Sequence, residues 1–179
     1  MSETQRYEVL SAERAVSMGD EWFDVAHADH FWIARRFDVI RRLCGSLLEP
    51  GAQVAEIGCG IGLVQSQFET HLDLAVDGFD LNAEALRKNQ SERGRLRSYD
   101  VYDRHPSLEA RYDLTLLLDV IEHVEDDVSF LEASSFLAKP DGHLLVNVPA
   151  SPGLFSRYDE AAGHLRRYTP KALLDVGRA

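Results

Sequence analysis

Three glycines at alternate positions, directly after a short apolar run, restrict the fold of this chain more than any other feature. The run at residues 53–57 has the composition of a short buried strand, and Gly58, Gly60 and Gly62 follow it. Glycine at every second position is unfavourable inside a helix or a strand, so the backbone here either turns sharply or lies close to a ligand. That ligand can be a nicotinamide dinucleotide, another adenosine cofactor or a nucleotide phosphate, and a tight turn without a ligand is the fourth alternative.

Strand-like and helix-like segments alternate on both sides of this junction. Residues 31–48 carry apolar side chains at spacings of three and four, which predicts an amphipathic helix that ends before Pro50-Gly51. Four further strands are predicted, with the sequences LAVDGFD, RLRSYDV, DLTLLLDV and HLLVNVP. Helices are predicted to start at Asn82, at Asp126 or Asp127, and at Thr169-Pro170. The first of these helices is predicted to end at Gly94. A turn is predicted at residues 139–142. Such an alternation predicts an α/β fold with a mainly parallel sheet covered by helices on both faces.

The composition limits the classes of partner. The chain has 179 residues, 19 basic and 30 acidic, and a formal net charge of −11. Nucleic acids and anionic membranes select basic surfaces, so neither is the expected partner. The polar N-terminus and the lack of a long apolar run predict no signal peptide and no membrane insertion, and Cys44 and Cys59 form no CxxC pair. We expect one cytoplasmic domain over residues 1–179.

The spacing of the glycines does not favour a dinucleotide. A dinucleotide fingerprint, G-x-G-x-x-G, needs a third glycine where this chain has Leu63, and the lysine of a phosphate-binding loop is missing. Acidic residues end the following strands instead, at Asp80, Asp100 and Asp119. Asp80 is placed to accept hydrogen bonds from two ribose hydroxyls, Leu81 to lie against an adenine, and Asp100 to accept from the exocyclic adenine amine.

These motifs, E-I-G-C-G-I-G, Asp80, Asp100 and LLLDVIEHVED, resemble in order those of class I S-adenosylmethionine-dependent methyltransferases over residues 30–170. The resemblance implies a doubly wound, Rossmann-like fold and S-adenosyl-L-methionine as the cofactor. Glu56 would orient its methionine end, the three glycines would admit it, and Asp80 would hold its ribose. The full set of cofactor-binding residues implied is Glu56, Gly58, Gly60, Gly62, Asp80, Leu81, Asp100, Val101, Asp119 and Val120. Acidic residues around the aminoacyl portion suit a cofactor that carries a sulfonium cation. This cofactor has no phosphate group, so it needs no phosphate-binding loop.

Two flanking segments, HADHFWIARRF and D-x-x-x-G-H-x-R-R-Y, resemble a bacterial subset of the same family. The first lies in a helical lid (residues 1–50) ahead of the cofactor-binding core (51–150), and the second lies in a substrate loop followed by the start of the last helix (151–179). A loop of this length without regular pattern usually binds something. His123 and His164 are the candidate catalytic bases, Trp32, Arg167 and Tyr168 the candidate substrate-binding residues, and Arg35 or Arg36 a candidate partner of the cofactor carboxylate.

No metal is predicted, because Asp119, Glu122 and His123 offer too few ligands to specify one. The predicted activity is methyl transfer to an O, N or C nucleophile of a small molecule or glycan. The alternatives are an NAD-dependent oxidoreductase and a cofactor-binding module without catalysis. Only five strands are predicted where the family has seven, and strands six and seven are missing: either the chain is truncated, or a partner completes the sheet, or those strands are dispensable. We expect the last predicted strand to be an edge that favours a homodimer.

Overall fold

A computed structural model describes residues 6–12 and 30–179, and its centre is one parallel sheet. The strands are β1 (Glu8–Val9), β2 (Val54–Ile57), β3 (Val76–Asp80), β4 (Leu96–Ser98), β5 (Tyr112–Leu118) and β6 (Ala138–Asn147). Their order is β1-β4-β3-β2-β5-β6, and every neighbouring pair is parallel. From β2 the chain builds outward to β3 and β4 on one side and later to β5 and β6 on the other. This confirms the doubly wound arrangement, and it places the reversal of strand order beside β2, where such folds bind ligands.

Helices cover the sheet at positions close to those predicted. They are α1 (Phe31–Cys44), α2 (Leu63–Leu72), α3 (Ala83–Lys88), α4 (Asp127–Ser135), α5 (Arg157–Ala162) and α6 (Pro170–Val176). The predicted caps are confirmed: the side chains of Asn82, Asp126 and Thr169 accept hydrogen bonds from backbone N–H groups of the first turns. None of the helices in the described ranges has the length and the apolar character that crossing a bilayer requires.

The apolar core has one main cluster on each side of the sheet. The apolar stripe of α1, including Phe37 and Ile40, packs with Phe68 and with Leu114 and Leu116 of β5. The other cluster contains Phe79, Leu117, Ile121 and Tyr168, and α4 contributes Leu131 to it. Alternate residues of β5 thus enter opposite clusters, as expected for a strand covered on both faces.

The prediction of five strands was wrong, because β1 was missed. This strand is only two residues long and has no periodicity that a sequence reading can detect. It is held at the sheet edge by backbone bonds from Leu10 and Ser11 to the Ser98 carbonyl (2.9 and 3.0 Å) and by an ion pair between Glu8 and Arg97 (3.0 Å). Beyond β6 the described residues contain no further strand, and the predicted homodimer stays a prediction.

Two boundaries also differ from the predicted ones. Helix α3 ends at Lys88 and does not continue to Gly94, because the buried Asn89 side chain turns inward and donates a hydrogen bond to the Gly60 carbonyl (3.1 Å). The turn predicted at residues 139–142 lies inside β6, where the register with β5 shifts between Tyr112 and Leu114. The strand therefore starts earlier than the predicted segment HLLVNVP, which begins at His143.

Candidate functional site

A cavity of about 310 Å³ opens at the carboxyl ends of the strands, within the size range of small-molecule sites. Most of the predicted cofactor-binding residues and one predicted base line it: Gly58, Gly60, Asp80, Leu81, Asp100, Val101, Asp119, Val120 and His123. The sequence reading missed the other lining residues, which are Ile57, Phe79, Asn82, Ala85, Tyr99, Val124 and Phe130. Several of these adjoin a predicted residue in sequence, but Phe130 reaches the cavity from α4 and nothing in the sequence pattern pointed to it.

Asp80 and Asp100 occupy one half of this cavity, and backbone amides hold both carboxylates. Asp80 accepts hydrogen bonds from the N–H groups of Gly60 and Asn82, both at 2.8 Å. Burial raises the pKa of Asp80, and these bonds act against that rise. Asp100 caps the short helical turn at residues 101–103 by accepting from the Tyr102 N–H (3.1 Å). Two carboxylates therefore face the cavity from the ends of neighbouring strands.

Asp119 directly follows β5 and has a strained conformation that three contacts maintain. Its φ of +57° lies in the left-handed region, which is uncommon for a residue other than glycine. Its N–H donates to the Asn147 carbonyl (2.9 Å), and the Asn147 amide donates to Oδ1 (2.6 Å). Oδ2 pairs with Arg36 from α1 at 2.5 Å. This ion pair joins the first helix to the carboxyl edge of the sheet.

Two further acids lie buried around the same guanidinium. Burial raises the pKa of Glu56 to about 8, with Arg36 lowering it and Asp80 raising it. Burial likewise raises the pKa of Glu122 to about 8, with Asp119 adding to the rise and Arg36 opposing it. Within the described residues, Oε2 of Glu56 and both carboxyl oxygens of Glu122 have no hydrogen-bond partner. Three carboxyl groups thus surround one arginine, and the site has room for added positive charge.

The two predicted bases come together beside the cavity. The ring centroids of His123 and His164 are 4.8 Å apart, in an edge-to-face arrangement. His123 Nδ1 faces the Gly163 carbonyl at 3.1 Å; since a carbonyl only accepts, Nδ1 carries the proton and Nε2 is left as an acceptor. Burial lowers the pKa of His123, and the neighbouring His164 lowers it further to a smaller extent. The lowered pKa favours this neutral form. His123 lines the cavity, whereas His164 lies behind it.

Asp159 organises the loop that carries His164. Its buried carboxylate accepts from His164 Nδ1 (3.0 Å) and from both Nε and Nη2 of Arg167 (2.7 and 3.0 Å). The Arg167 guanidinium holds the pKa of Asp159 well below its usual range. Asp159 begins the motif D-x-x-x-G-H-x-R-R-Y, but the sequence pattern alone indicates no role for it.

Arg167 and Tyr168 do not line the cavity, so the geometry does not support their predicted contact with substrate. Arg167 is engaged with Asp159, as above. Tyr168 is 4% exposed, packs in the core and donates to Asp127 Oδ2 (2.7 Å). Tyr168 thus fastens the loop to the segment after β5, whereas Arg167 makes its bonds within the loop. Trp32 lies on α1 with an exposed side chain, and its neighbours at residues 27–29 of the predicted lid motif fall outside the described residues.

Gly62 has a structural role at the start of α2. Its φ is +77°, and an added Cβ would lie 2.3 Å from Asn89 Oδ1. Gly60 has a φ of +52° and lines the cavity, with open space where a Cβ would stand. Gly62 is therefore required by the position of Asn89, whereas the absence of a side chain at Gly60 leaves the cavity open.

Glu122, His123 and His164 also bring three ligand atoms to within 4.8 Å of one another. The expectation of no metal was based on Asp119, Glu122 and His123, and His164 was not considered with them. The expected absence of a metal stays a prediction.

Comparison with known proteins agrees with this geometry. The methyltransferase domain family matches residues 25–177. A ubiquinone biosynthesis O-methyltransferase of Rhodopseudomonas palustris (strain BisA53) is 35% identical over 119 residues, which are 63% of this chain and 45% of that protein. The chain spans about half the length of the curated relatives it matches.

Solved structures share the fold at low identity. A SAM-dependent methyltransferase from Archaeoglobus fulgidus has a TM-score of 0.64 at 16% identity, covering 81% of this chain and 66% of that one. Phosphoethanolamine N-methyltransferase 2 of Haemonchus contortus, in complex with phosphomonomethylethanolamine and S-adenosylhomocysteine, has a TM-score of 0.64 at 19% identity, covering 81% of this chain and 36% of that one.

The parallel sheet with a cleft at its carboxyl edge defines a Rossmann-like α/β protein. With the family match over most of its length, the chain belongs to the class I S-adenosylmethionine-dependent methyltransferases.

Alanine substitutions at the two glycines are expected to separate stability from ligand binding. Gly62→Ala displaces Asn89, which is buried and hydrogen-bonded to Gly60 and Gln65, so we expect a loss of about 2–4 kcal/mol in the free energy of unfolding. Gly60→Ala costs about 1 kcal/mol for its positive φ but places a methyl group in the cavity. Urea denaturation measures the first effect and S-adenosylhomocysteine titration the second. Gly45→Ala, which meets nothing within 4 Å and has no positive φ, is the control; equal stability of the Gly60 and Gly62 variants would contradict the assignment.

Glu122→Gln is expected to reduce the dependence of stability on pH. Because the folded-state pKa of Glu122 is raised to about 8, its contribution to stability is present below about pH 4.5 and is lost as the pH rises through 8. We expect the free energy of unfolding of the unsubstituted protein to fall between pH 5.5 and 8, with Glu122 supplying about 2–3 kcal/mol of the change. Urea denaturation at both pH values tests this, with the exposed Glu109→Gln as the matched control. An unchanged slope in Glu122→Gln would show that this carboxyl is not held protonated.

Proposed function

We propose that this domain binds S-adenosyl-L-methionine and transfers its methyl group to a hydroxyl of a small organic molecule. The observation that carries the proposal is the surplus of carboxyl groups around the guanidinium of Arg36: Glu56 and Glu122 are buried, and Asp119 is partly exposed and lines the cavity. A ligand with a sulfonium and an ammonium group complements that surplus. A nicotinamide dinucleotide would bring two phosphate charges to the same carboxylates, which disfavours the oxidoreductase alternative.

In this proposal the residues of the cavity divide by the part of the cofactor they hold. Asp80 accepts from the ribose hydroxyls, and Asp100 and Val101 contact the adenine. Glu56 and Asp119 face the positively charged end, and Arg36 meets the carboxylate of the methionine portion. The fit to the chain is supported by the unpartnered Glu56 Oε2, which lacks the donor that an ammonium group would supply.

His123 is the proposed base for the acceptor hydroxyl. S-adenosylmethionine supplies a methyl group already activated on sulfur, so the protein needs to align the acceptor, exclude water and remove one proton. Nε2 of His123 takes that proton, while Nδ1–H stays bonded to the Gly163 carbonyl. The choice of a hydroxyl also agrees with the ubiquinone biosynthesis O-methyltransferases among the relatives.

The proposed working unit is the single domain, with residues 1–50 covering the cofactor and residues 151–179 bordering the acceptor. Support for the second part comes from the contacts of the loop with the segment after β5, including Leu165 N–H to the Glu122 carbonyl (2.8 Å) and Arg166 to Asp127 (3.0 Å). Cys44 and Cys59 are both free, in keeping with a cytoplasmic site of action.

Binding of S-adenosylmethionine is expected to release a proton from Glu56. Its carboxyl is mostly protonated at pH 7 in the ligand-free protein, and an adjacent cation favours ionisation. We expect the affinity to rise between pH 6 and 8, and calorimetry in two buffers of different ionisation enthalpy to report proton release. Glu56→Gln should release less and bind about tenfold more weakly, whereas the exposed Glu49→Gln should match the unsubstituted protein. Binding of NAD without binding of S-adenosylmethionine would overturn the proposal.

The acceptor class is tested with paired compounds that differ only in carrying a hydroxyl or an amine. Formation of S-adenosylhomocysteine is the readout, and we expect turnover of phenols or alcohols and not of the amine counterparts. His123→Gln should lower kcat by about 100-fold while leaving the dissociation constant of the cofactor within a few-fold. For the unsubstituted enzyme at saturating S-adenosylmethionine, kcat/KM for the acceptor should rise with pH and level off below pH 6.5, because the pKa of His123 is lowered. His71→Gln, exposed on α2, is the control.

Each alternative predicts a different result in the same assay. Turnover restricted to amines would refute the hydroxyl assignment but not methyl transfer. Binding of cofactor without turnover of any acceptor would indicate the non-catalytic module.

A further inference from the structure

The segment at residues 6–12 has no assigned part in the site, although it lies against the strand that leads to Asp100. It adds β1 to the outer edge of β4, and Tyr7 packs beside Cys59 of the glycine junction. Ser98, the last residue of β4, accepts from the N–H groups of Leu10 and Ser11 and donates from its own hydroxyl to the Ser11 carbonyl (3.3 Å). The segment is thus bonded to the backbone immediately before the cavity-lining residues Tyr99 and Asp100.

Ser11 extends this contact with its side chain. The residue is 5% exposed, and its Oγ accepts a hydrogen bond from the Asp100 N–H at 2.9 Å. The same hydroxyl donates to Asp103 Oδ2 at 2.5 Å. Asp100 and Asp103 are the residues at the two ends of the short helical turn 101–103. One hydroxyl therefore bridges both ends of the turn that carries Asp100 and Val101 into the cavity.

We propose that Ser11 is a positioning residue that fixes Asp100 for recognition of the 6-amino group of adenine. The inference rests on the proposed function, in which Asp100 accepts from that amine. A hydrogen bond to an exocyclic amine requires the carboxylate to be placed to within a few tenths of an ångström. Without the Ser11 hydroxyl the buried Asp100 N–H loses its acceptor, and this backbone must move to find another.

The positioning role of Ser11 is tested by comparing the affinity of the protein for a ligand that contains adenine with its affinity for one that contains hypoxanthine. A measurement of overall stability does not test this role. The probes are S-adenosylhomocysteine and its inosine counterpart, which carries an oxygen in place of the 6-amino group and so presents an acceptor to the Asp100 carboxylate. We expect the unsubstituted protein to prefer the adenosine compound by at least tenfold. Ser11→Ala should bind S-adenosylhomocysteine about tenfold more weakly and the inosine compound nearly as before, so the preference falls to a few-fold.

Two other variants complete the test. Asp103→Ala, at an exposed position, removes only the acceptor that orients the Ser11 hydroxyl, and should reduce the preference in the same direction even if Ser11→Ala folds poorly. Glu8→Ala removes the ion pair of the same strand with Arg97, away from the turn, and should leave the preference unchanged. Calorimetric titration gives the affinities, and thermal denaturation shows that each variant is folded.

The outcomes separate the inference from the function on which it rests. A preference kept in both Ser11→Ala and Asp103→Ala overturns the positioning role alone, as does an equal loss in Glu8→Ala. Failure of the unsubstituted protein to bind S-adenosylhomocysteine overturns the proposed function and the inference together.

Discussion

The pairing of Arg36 with Asp119 is the interaction on which the candidate site depends. It connects α1, which precedes the sheet in sequence, to the carboxyl end of β5, and it places a positive charge among buried carboxyl groups. Removing one partner of such a pair leaves the other charged and desolvated, so the arrangement is stable only as a set. Burial raises the pKa of Glu56 and of Glu122 to about 8, and the positive charge of Arg36 opposes that rise only in part. In the proposed function, the arrival of a cationic cofactor is coupled to proton loss from these acids.

The strand order explains how residues far apart in sequence reach this set. Glu56 lies in β2, and Asp119 follows the neighbouring β5; in a parallel sheet both strands end at the same edge. The left-handed conformation of Asp119 directs the chain into the short turn at residues 121–123, which carries Glu122 and His123. Asp119, Glu122 and the proposed base His123 therefore lie in one connected segment, and movement of Asp119 would displace the other two.

The sequence was sufficient to predict the fold class and the half of the site formed by strand ends. Asp80 and Asp100 could be predicted because an acidic residue directly after an apolar segment can be recognised in the sequence alone. Parallel strands bring such positions to the same edge of the sheet, and both residues line the cavity. Asp159 and Asn89 could not be assigned in the same way, since their partners lie five to thirty residues away and nothing in the local pattern specifies which side chain turns inward. For Arg167, the sequence indicates a basic residue in a loop near the site but does not show that the buried carboxylate of Asp159 in the same loop binds its guanidinium; its predicted contact with substrate stays a prediction. Strand β1 was missed because two residues carry no period.

The loop after β6 is held in place by contacts with the segment after β5. Its arginine and tyrosine side chains bond to the segment after β5, and its Gly163 carbonyl fixes the tautomer of His123. A base whose orientation comes from a backbone carbonyl keeps its direction without an ionised partner, which suits an acceptor that must be deprotonated beside a cation. An anionic partner directly on His123 would raise the pKa of the imidazole and compete for the same cation. By placing Asp159 on His164 instead, the structure separates the negative charge that orders the loop from the imidazole of His123, the proposed base.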